Sequence, residues 1–276
     1  MKKYIYSLMT AVMAMVCLSA CEKDMGTEPG NDSQATVTLY KYGVELPYDG
    51  DCDVTIRIAA NSATNEAYAF AETKEAKVQR IASLGEDGYA DYVVQNGEKL
   101  SDIKGNSVQD KVFTNLKGEN IITVVAVGNG GKKASEIAFT GISWSNVAKG
   151  TYNFSVANIK KIYAESYDVT LQVCDSDPTA YRFKDLFGAG QHLKFTKTSS
   201  VTNDGGVVCR VPSQETPLTF GSYGQVGVRD VATWQNDDNY LDCAIYDDGY
   251  VYLWVQYFVS AGNLGYGYDK FIPVEE

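Results

Sequence analysis

Trp234 lies in Val231-Ala232-Thr233-Trp234-Gln235-Asn236-Asp237-Asp238-Asn239-Tyr240, a large apolar ring followed at once by amides and carboxylates. That combination suits sugar recognition. An aromatic ring offers an apolar face with a negative quadrupole, on which the C–H face of a pyranose stacks. Gln235, Asn236, Asp237 and Asp238 supply donors and acceptors for hydroxyl groups. A tryptophan in a polar loop tip either packs back onto the protein or meets a ligand, and the sequence leaves both open. A second candidate lies in Tyr250–Val259, where Val251, Leu253 and Val255 alternate with Tyr250, Tyr252, Trp254, Gln256 and Phe258. Successive strand side chains point to opposite faces, so one face is aliphatic and the other aromatic. With the aliphatic face in the core, Tyr252 and Trp254 belong to an outer platform. The plainer alternative buries both faces, one in a barrel and the other under a neighbouring domain.

Other chemistries fit less well. Asp49-Gly50-Asp51-Cys52-Asp53 starts like an EF-hand loop, but that loop needs Gly at its sixth position and Glu at its twelfth, where Val54 and Ala60 stand. Asp175/Asp177 and Asp237/Asp238 read as turn-forming aspartates rather than calcium ligands. Gly221-Ser222-Tyr223-Gly224 is one residue short of the nucleophile elbow G-x-S-x-G. The single histidine, His192, alternates outward from Leu193 and Phe195 and reads as an exposed strand residue. Glycoside hydrolysis needs two carboxylates at a set separation, and among 35 acidic residues no pair declares itself. The expectation is a non-catalytic protein without cofactor or metal.

The chain opens with Lys2 and Lys3, an apolar run of 13 residues from Tyr4 to Val16, then Leu18-Ser19-Ala20-Cys21. A bilayer-spanning helix needs about 20 apolar residues; the order of charged, apolar and small-residue regions is that of a secretory signal. With a cysteine directly after the small residues, it resembles a bacterial lipoprotein signal. The resemblance implies lipidation at Cys21, removal of residues 1–20 and an outer-membrane anchor. Glu22-Lys23-Asp24 is similar to the acidic export tag of Bacteroidota surface lipoproteins, which implies exposure at the cell surface. Loss of the leader leaves 22 basic against 35 acidic groups, a net charge of −13, which argues against a nucleic-acid partner. Cys52, Cys174, Cys209 and Cys243 remain; Cys209 and Cys243 share strand faces with apolar neighbours and read as buried thiols, with a Cys209–Cys243 bridge as the alternative.

These residues need elements to position them. Residues 21–34 are polar, glycine-bearing and aperiodic, a lipidated tether. From Ala35, period-two alternation marks strands, interrupted by two helical segments between residues 74 and 97, with Thr73 placed to cap the first and Gly97 to end the second. Phe113–Leu116, Ile122–Val127 and Gly128–Gly131 resemble the last strands of a fibronectin type III domain. The resemblance covers about residues 35–142, within a domain of residues 35–145, and implies an immunoglobulin-like sandwich acting as a spacer. It departs from the family in the helical insertion and in having Ile121 and Ile122 where the corner tyrosine belongs. Residues 146–276 read as nine short strands, an antiparallel barrel or sandwich, after a break at Gly141–Gly150. Gly150-Thr151-Tyr152, Tyr181–Gly188, Tyr223-Gly224-Gln225-Val226 and Val259–Gly267 resemble a domain of gut Bacteroidota lipoproteins associated with glycan capture but without assigned activity. Tyr266 in that last phrase and Tyr268 directly after it belong to a glycine-rich loop and read as structural. The expected fold class is all-β. The expected function is a surface lipoprotein that binds glycan or, alternatively, an envelope protein; a glycan-processing enzyme is the third reading, and the oligomeric state stays open.

Overall fold

Alternation of apolar and polar residues builds nearly the whole chain into strands. The computed structural model describes residues 34–274; Cys21, the leader and all but the last residue of the tether lie outside them. Among the described residues no helix is long and apolar enough to cross a membrane. The first module contains β1 (Val37–Tyr42), β2 (Val54–Ala60), β3 (Thr64–Thr73), α1 (Lys74–Asn96), β4 (Glu98–Lys99), β5 (Val108–Phe113), β6 (Gly118–Gly128) and β7 (Gly131–Gly141). Its sheets, β1-β2-β5 and β4-β3-β6-β7, face each other across Val37, Ile56, Ile58, Ala67, Ile122 and Val124. This is the expected immunoglobulin-like sandwich.

The two expected helical segments form one element, kinked at Gly85 where φ is +70°. The Thr73 hydroxyl caps it by accepting from the Ala76 N–H, and the Gly97 N–H closes it on the Val93 carbonyl. It packs through Lys77, Tyr89 and Val93, while Val78 is exposed.

The second module contains β8 (Trp144–Asn153), α2 (Ala157–Ile162), β9 (Ser166–Cys174), β10 (Ala180–Lys184), β11 (Leu193–Val201), β12 (Val207–Arg210), β13 (Gln214–Thr219), β14 (Gln225–Asp230), α3 (Val231–Gln235), β15 (Cys243–Ile245), β16 (Val251–Val259) and β17 (Gly262–Pro273). Strands β8, β9, β10, β11, β12, β15, β16 and β17 close into an eight-stranded antiparallel barrel, because β17 pairs with both β16 and β8. One edge of β16 is shared: residues 251–253 pair with β15 and residues 255–258 with β14, so β14 and β13 continue outward as a flap. Closure removes open edges. The interior holds Tyr152, Phe154, Phe183, Phe195, Tyr257 and Phe271.

A fully buried carboxylate sits among these rings. Asp269 accepts from Tyr152 and Tyr257 hydroxyls at 3.0 and 2.7 Å and from the Ser155 N–H and hydroxyl at 2.7 Å each. Burial raises its pKa, against the pull of those donors. Four donors on one buried acid satisfy it and tie β8, β16 and β17 together. Cys52, Cys174, Cys209 and Cys243 are free thiols; burial pushes Cys209 up to about 12, which leaves it protonated and inert.

Three elements differ from the sequence expectation. Strand β8 starts at Trp144, ahead of Gly150, because it pairs with Cys174 at the far end of β9. Strand β13, Gln-Glu-Thr-Pro-Leu-Thr, lacks an alternating apolar signature and exists because β14 offers it an edge. The glycine-rich phrase Gly262–Gly267 is the first half of β17 and not a loop.

Candidate functional site

Val251, Leu253 and Val255 are fully buried, and Tyr252 and Trp254 stand half-exposed on the outer wall of the barrel. The aliphatic side of β16 therefore lies in the core and its aromatic side is partly open, with Gln256 on that side buried. Register extends the platform. Tyr268 of β17 lies opposite Trp254, and Tyr266 lies opposite Gln256. Both residues, expected to be structural, are exposed, at 39% and 54%.

Trp234 comes to this face on α3 rather than on a loop tip. Asp230, buried, caps that helix: one carboxylate oxygen accepts from the Thr233 N–H at 2.6 Å and the other from the Val211 N–H at 2.7 Å. Asn236 ends it in the left-handed conformation, φ +54°, which asparagine tolerates better than most residues. Held this way, Trp234 stacks beside Tyr266 at 6.0 Å between centroids while staying 38% exposed. It both packs back and keeps a face open.

The rings form a continuous row. Trp234 meets Tyr266, Tyr266 lies 6.2 Å from Trp254, Trp254 lies 4.4 Å from Tyr268, Tyr268 lies 5.9 Å from Tyr252, and Tyr252 lies 6.1 Å from Tyr246. Carboxylates fix the phenols: Tyr268 donates to Asp242 at 3.0 Å and Tyr246 to Asp204 at 2.7 Å. Burial and those hydrogen bonds push both phenols above their ordinary range, so they remain neutral. The indole N–H of Trp254 is buried without an acceptor, an arrangement that costs about 1–3 kcal/mol.

The flanking polar residues are all exposed, and part of their capacity is used locally. Asp237 accepts from the Asn239 N–H at 2.9 Å and its side-chain amide at 2.8 Å, which is the turn role expected of it. Asp238 lies 3.8 Å from Arg210, whose guanidinium also donates to the Asp238 carbonyl. Gln235 and Asn236 extend the polar rim. Asp175 and Asp177, the other aspartate pair, likewise accept from Ser145 and Thr179 in a turn.

A second cluster lies where the modules meet. The loop after β1 carries Asp49 and Asp51 to the outer wall of β10 and β11. Arg182, 4% exposed, donates to Asp49 at 3.0 Å and Asp51 at 2.7 Å and lies 4.6 Å from the Trp144 ring. Lys194 and the Trp144 indole N–H reach Asp51 at 2.5 and 3.1 Å. Gly190 lets the loops touch, since a Cβ there would lie 2.3 Å from the Tyr48 carbonyl. His192 is the correction here. It does point out of the barrel, as alternation predicts, but the sandwich loop covers it and its side chain is 4% exposed.

Asp49, Asp51 and His192 come close enough to hold a cation, yet the chemistry opposes it. His192 Nδ1 accepts from the Asp185 N–H at 2.9 Å, so the neutral ring carries its proton on Nε2. That nitrogen, 3.1 Å from Asp49 but off the hydrogen-bond line, has no lone pair for a metal. Two carboxylates face two cations, Arg182 and Lys194, and the cluster is already neutral. It is a polar core between modules. An adjoining cleft of about 530 Å³ runs along Tyr48, Gln191 and Gln214.

No protein-family model matches the chain, and no curated protein matches it. Among solved structures, a mutant of Kfla1895 in complex with cyclobis-(1->6)-alpha-nigerosyl is 11% identical with a TM-score of 0.26, covering 87% of this chain and 33% of that one. A cycloalternan-degrading enzyme from Trueperella pyogenes in complex with cycloalternan is 10% identical with a TM-score of 0.25, covering 87% and 35%. The chain thus spans about a third of their length. Likeness at this level assigns neither a fold family nor an activity.

Proposed function

We propose that this protein is a non-catalytic glycan-binding lipoprotein, held to the outer membrane through Cys21 and facing the cell surface. The observation that carries the reading is the partly exposed row Trp234–Tyr266–Trp254–Tyr268–Tyr252 with hydrogen-bonding groups along its edge. Stacked rings serve the apolar faces of sugars. Gln235, Asn236, Asp237 and Asp238 serve ring and hydroxyl oxygens and hydrogens. The sandwich acts as a spacer that lifts the barrel from the membrane. Its rigid seat on the barrel, through Arg182, suits that task. The rival reading, an envelope-protein partner, calls for a larger and drier apolar patch than one edged by phenols and carboxylates.

A glycan array probed with soluble residues 22–276 tests the ligand. Binding to a defined polysaccharide class, lost in Trp234→Ala, supports the reading; no binding to any glycan, with capture of an envelope protein through the same rings, replaces it. For the anchor, Cys21→Ser is expected to release the protein from membranes or leave an uncleaved precursor. A mutant that fractionates and migrates like wild type contradicts lipidation.

A further inference from the structure

The charges around the aromatic row favour one class of glycan. Asp242 and Asp204 sit at the phenols of Tyr268 and Tyr246. Asp237 and Asp238 follow Trp234, and Asp247 and Asp248 form the turn next to Tyr250. Three cations border the same face. Lys270 lies opposite Tyr252. Arg229 donates to Gln256 at 2.9 Å and lies 4.6 Å from the Phe258 ring. Arg210 is engaged by Asp238. Six carboxylates against three cations, one of them partnered, leave the face negative.

A second feature points the same way. Recognition of a uronate or sulfate calls for an arginine or lysine free to form charge-assisted hydrogen bonds. On this face Arg229 is committed to Gln256 and Phe258 at one end, and Lys270 is the single cation in the middle. The acceptors are plentiful: carboxylate and amide oxygens suit hydroxyl and ammonium donors.

We propose that the platform selects neutral or amino-bearing glycans and repels uronate- and sulfate-bearing ones, an inference that rests on the glycan-binding reading above. Repulsion between exposed charges is long-ranged at low ionic strength, where the Debye length is about 30 Å at 0.01 M, and is screened out near 1 M. Each acidic sugar placed on the row is expected to weaken binding roughly fivefold at low salt, from several carboxylates acting across about 8 Å of water.

The test is affinity electrophoresis and calorimetry of residues 22–276 with galactan, mannan and chitosan against polygalacturonate and chondroitin sulfate, at 10 mM and at 500 mM salt. The expected result is binding by a neutral or amino-bearing polymer, with acidic polymers weaker at low salt and gaining affinity as salt rises. The combined change Asp237→Asn, Asp238→Asn and Asp242→Asn is expected to raise the ratio of acidic to neutral affinity. Acidic polymers that bind more tightly at low salt, or a ratio the triple variant does not move, overturn the selectivity while leaving glycan binding in place. Failure of every polymer to bind removes both.

Discussion

The junction around Arg182 and the aromatic row around Trp254 are both built from side chains that point outward from the same barrel. At the junction the outward residues are Arg182, His192 and Lys194, and the sandwich loop brings the carboxylates that answer them. On the other wall they are Tyr252, Trp254, Tyr266 and Tyr268, and among the described residues Tyr266 and Tyr268 stay exposed while Tyr252 and Trp254 are half-buried. One region is closed and charge-balanced; the other is ring-lined and partly open. The contrast separates architecture from recognition. Buried ionic groups are paired and satisfied, whereas exposed large apolar surface with hydrogen-bonding rims marks a place where something binds.

The largest expected effect breaks the closed region. Arg182→Ala leaves Asp49 and Asp51 facing each other without their shared cation and removes the contact with Trp144. Loss of one partner from a buried pair costs about 3–5 kcal/mol, so thermal melting should fall by many degrees. A loss below about 1 kcal/mol, the value of an exposed pair, would mean that water reaches the junction.

Trp254→Ala should cost less. Its ring is half-exposed on the outer wall, so the loss should be roughly 1–2 kcal/mol and not the roughly 3–5 kcal/mol of a core tryptophan. Denaturant unfolding measures the difference, and a core-sized loss would contradict the platform.

Acid distinguishes the regions as well. Burial alone would raise the Asp49 carboxyl, but the adjacent His192 ring, the Asp51 backbone N–H and the Arg182 charge outweigh it and hold the group well below the usual carboxylate range. A carboxylate depressed in the folded state contributes stability that is present above its unfolded value, about 3.9, and is lost as pH falls through the folded value. Melting temperatures of wild type and Asp49→Asn should differ at pH 7, and the gap should narrow progressively as pH falls below about 4. A constant gap down to pH 2 would show that Asp49 acts through packing alone. Trp234→Ala should have the smallest effect on stability, below that of Trp254→Ala, because its ring is the more exposed of the two and rests beside Tyr266.

The barrel and sandwich were legible because period-two alternation runs through almost every strand. The two faces of Val251–Phe258 could be read from eight residues in a row. Tyr266 and Tyr268 were misjudged because glycines at 262, 265 and 267 signal a loop. In the fold, Gly265 at φ +135° lets that segment pair with β16 beside a register shift. Five-residue α3 was missed because one turn and a half carries no periodicity; Asp230 three residues before Thr233 was its trace. His192 and Arg182 were out of reach. Their outward direction is local information, but Asp51 meets Arg182 from 131 residues away. No pattern within either strand announces which loop will cover it.

The central claim is that the aromatic row is the binding surface. Isothermal titration of the best array polysaccharide against wild type, Trp234→Ala and Lys194→Ala tests it most directly, with melting curves recorded on the same samples. Trp234→Ala should keep its melting temperature and lose about tenfold or more in affinity, the size of an anchoring aromatic contact. Lys194→Ala, at the junction edge, should bind like wild type. Unchanged affinity in Trp234→Ala together with weakened binding in Lys194→Ala would place the ligand in the cleft between the modules and contradict the account.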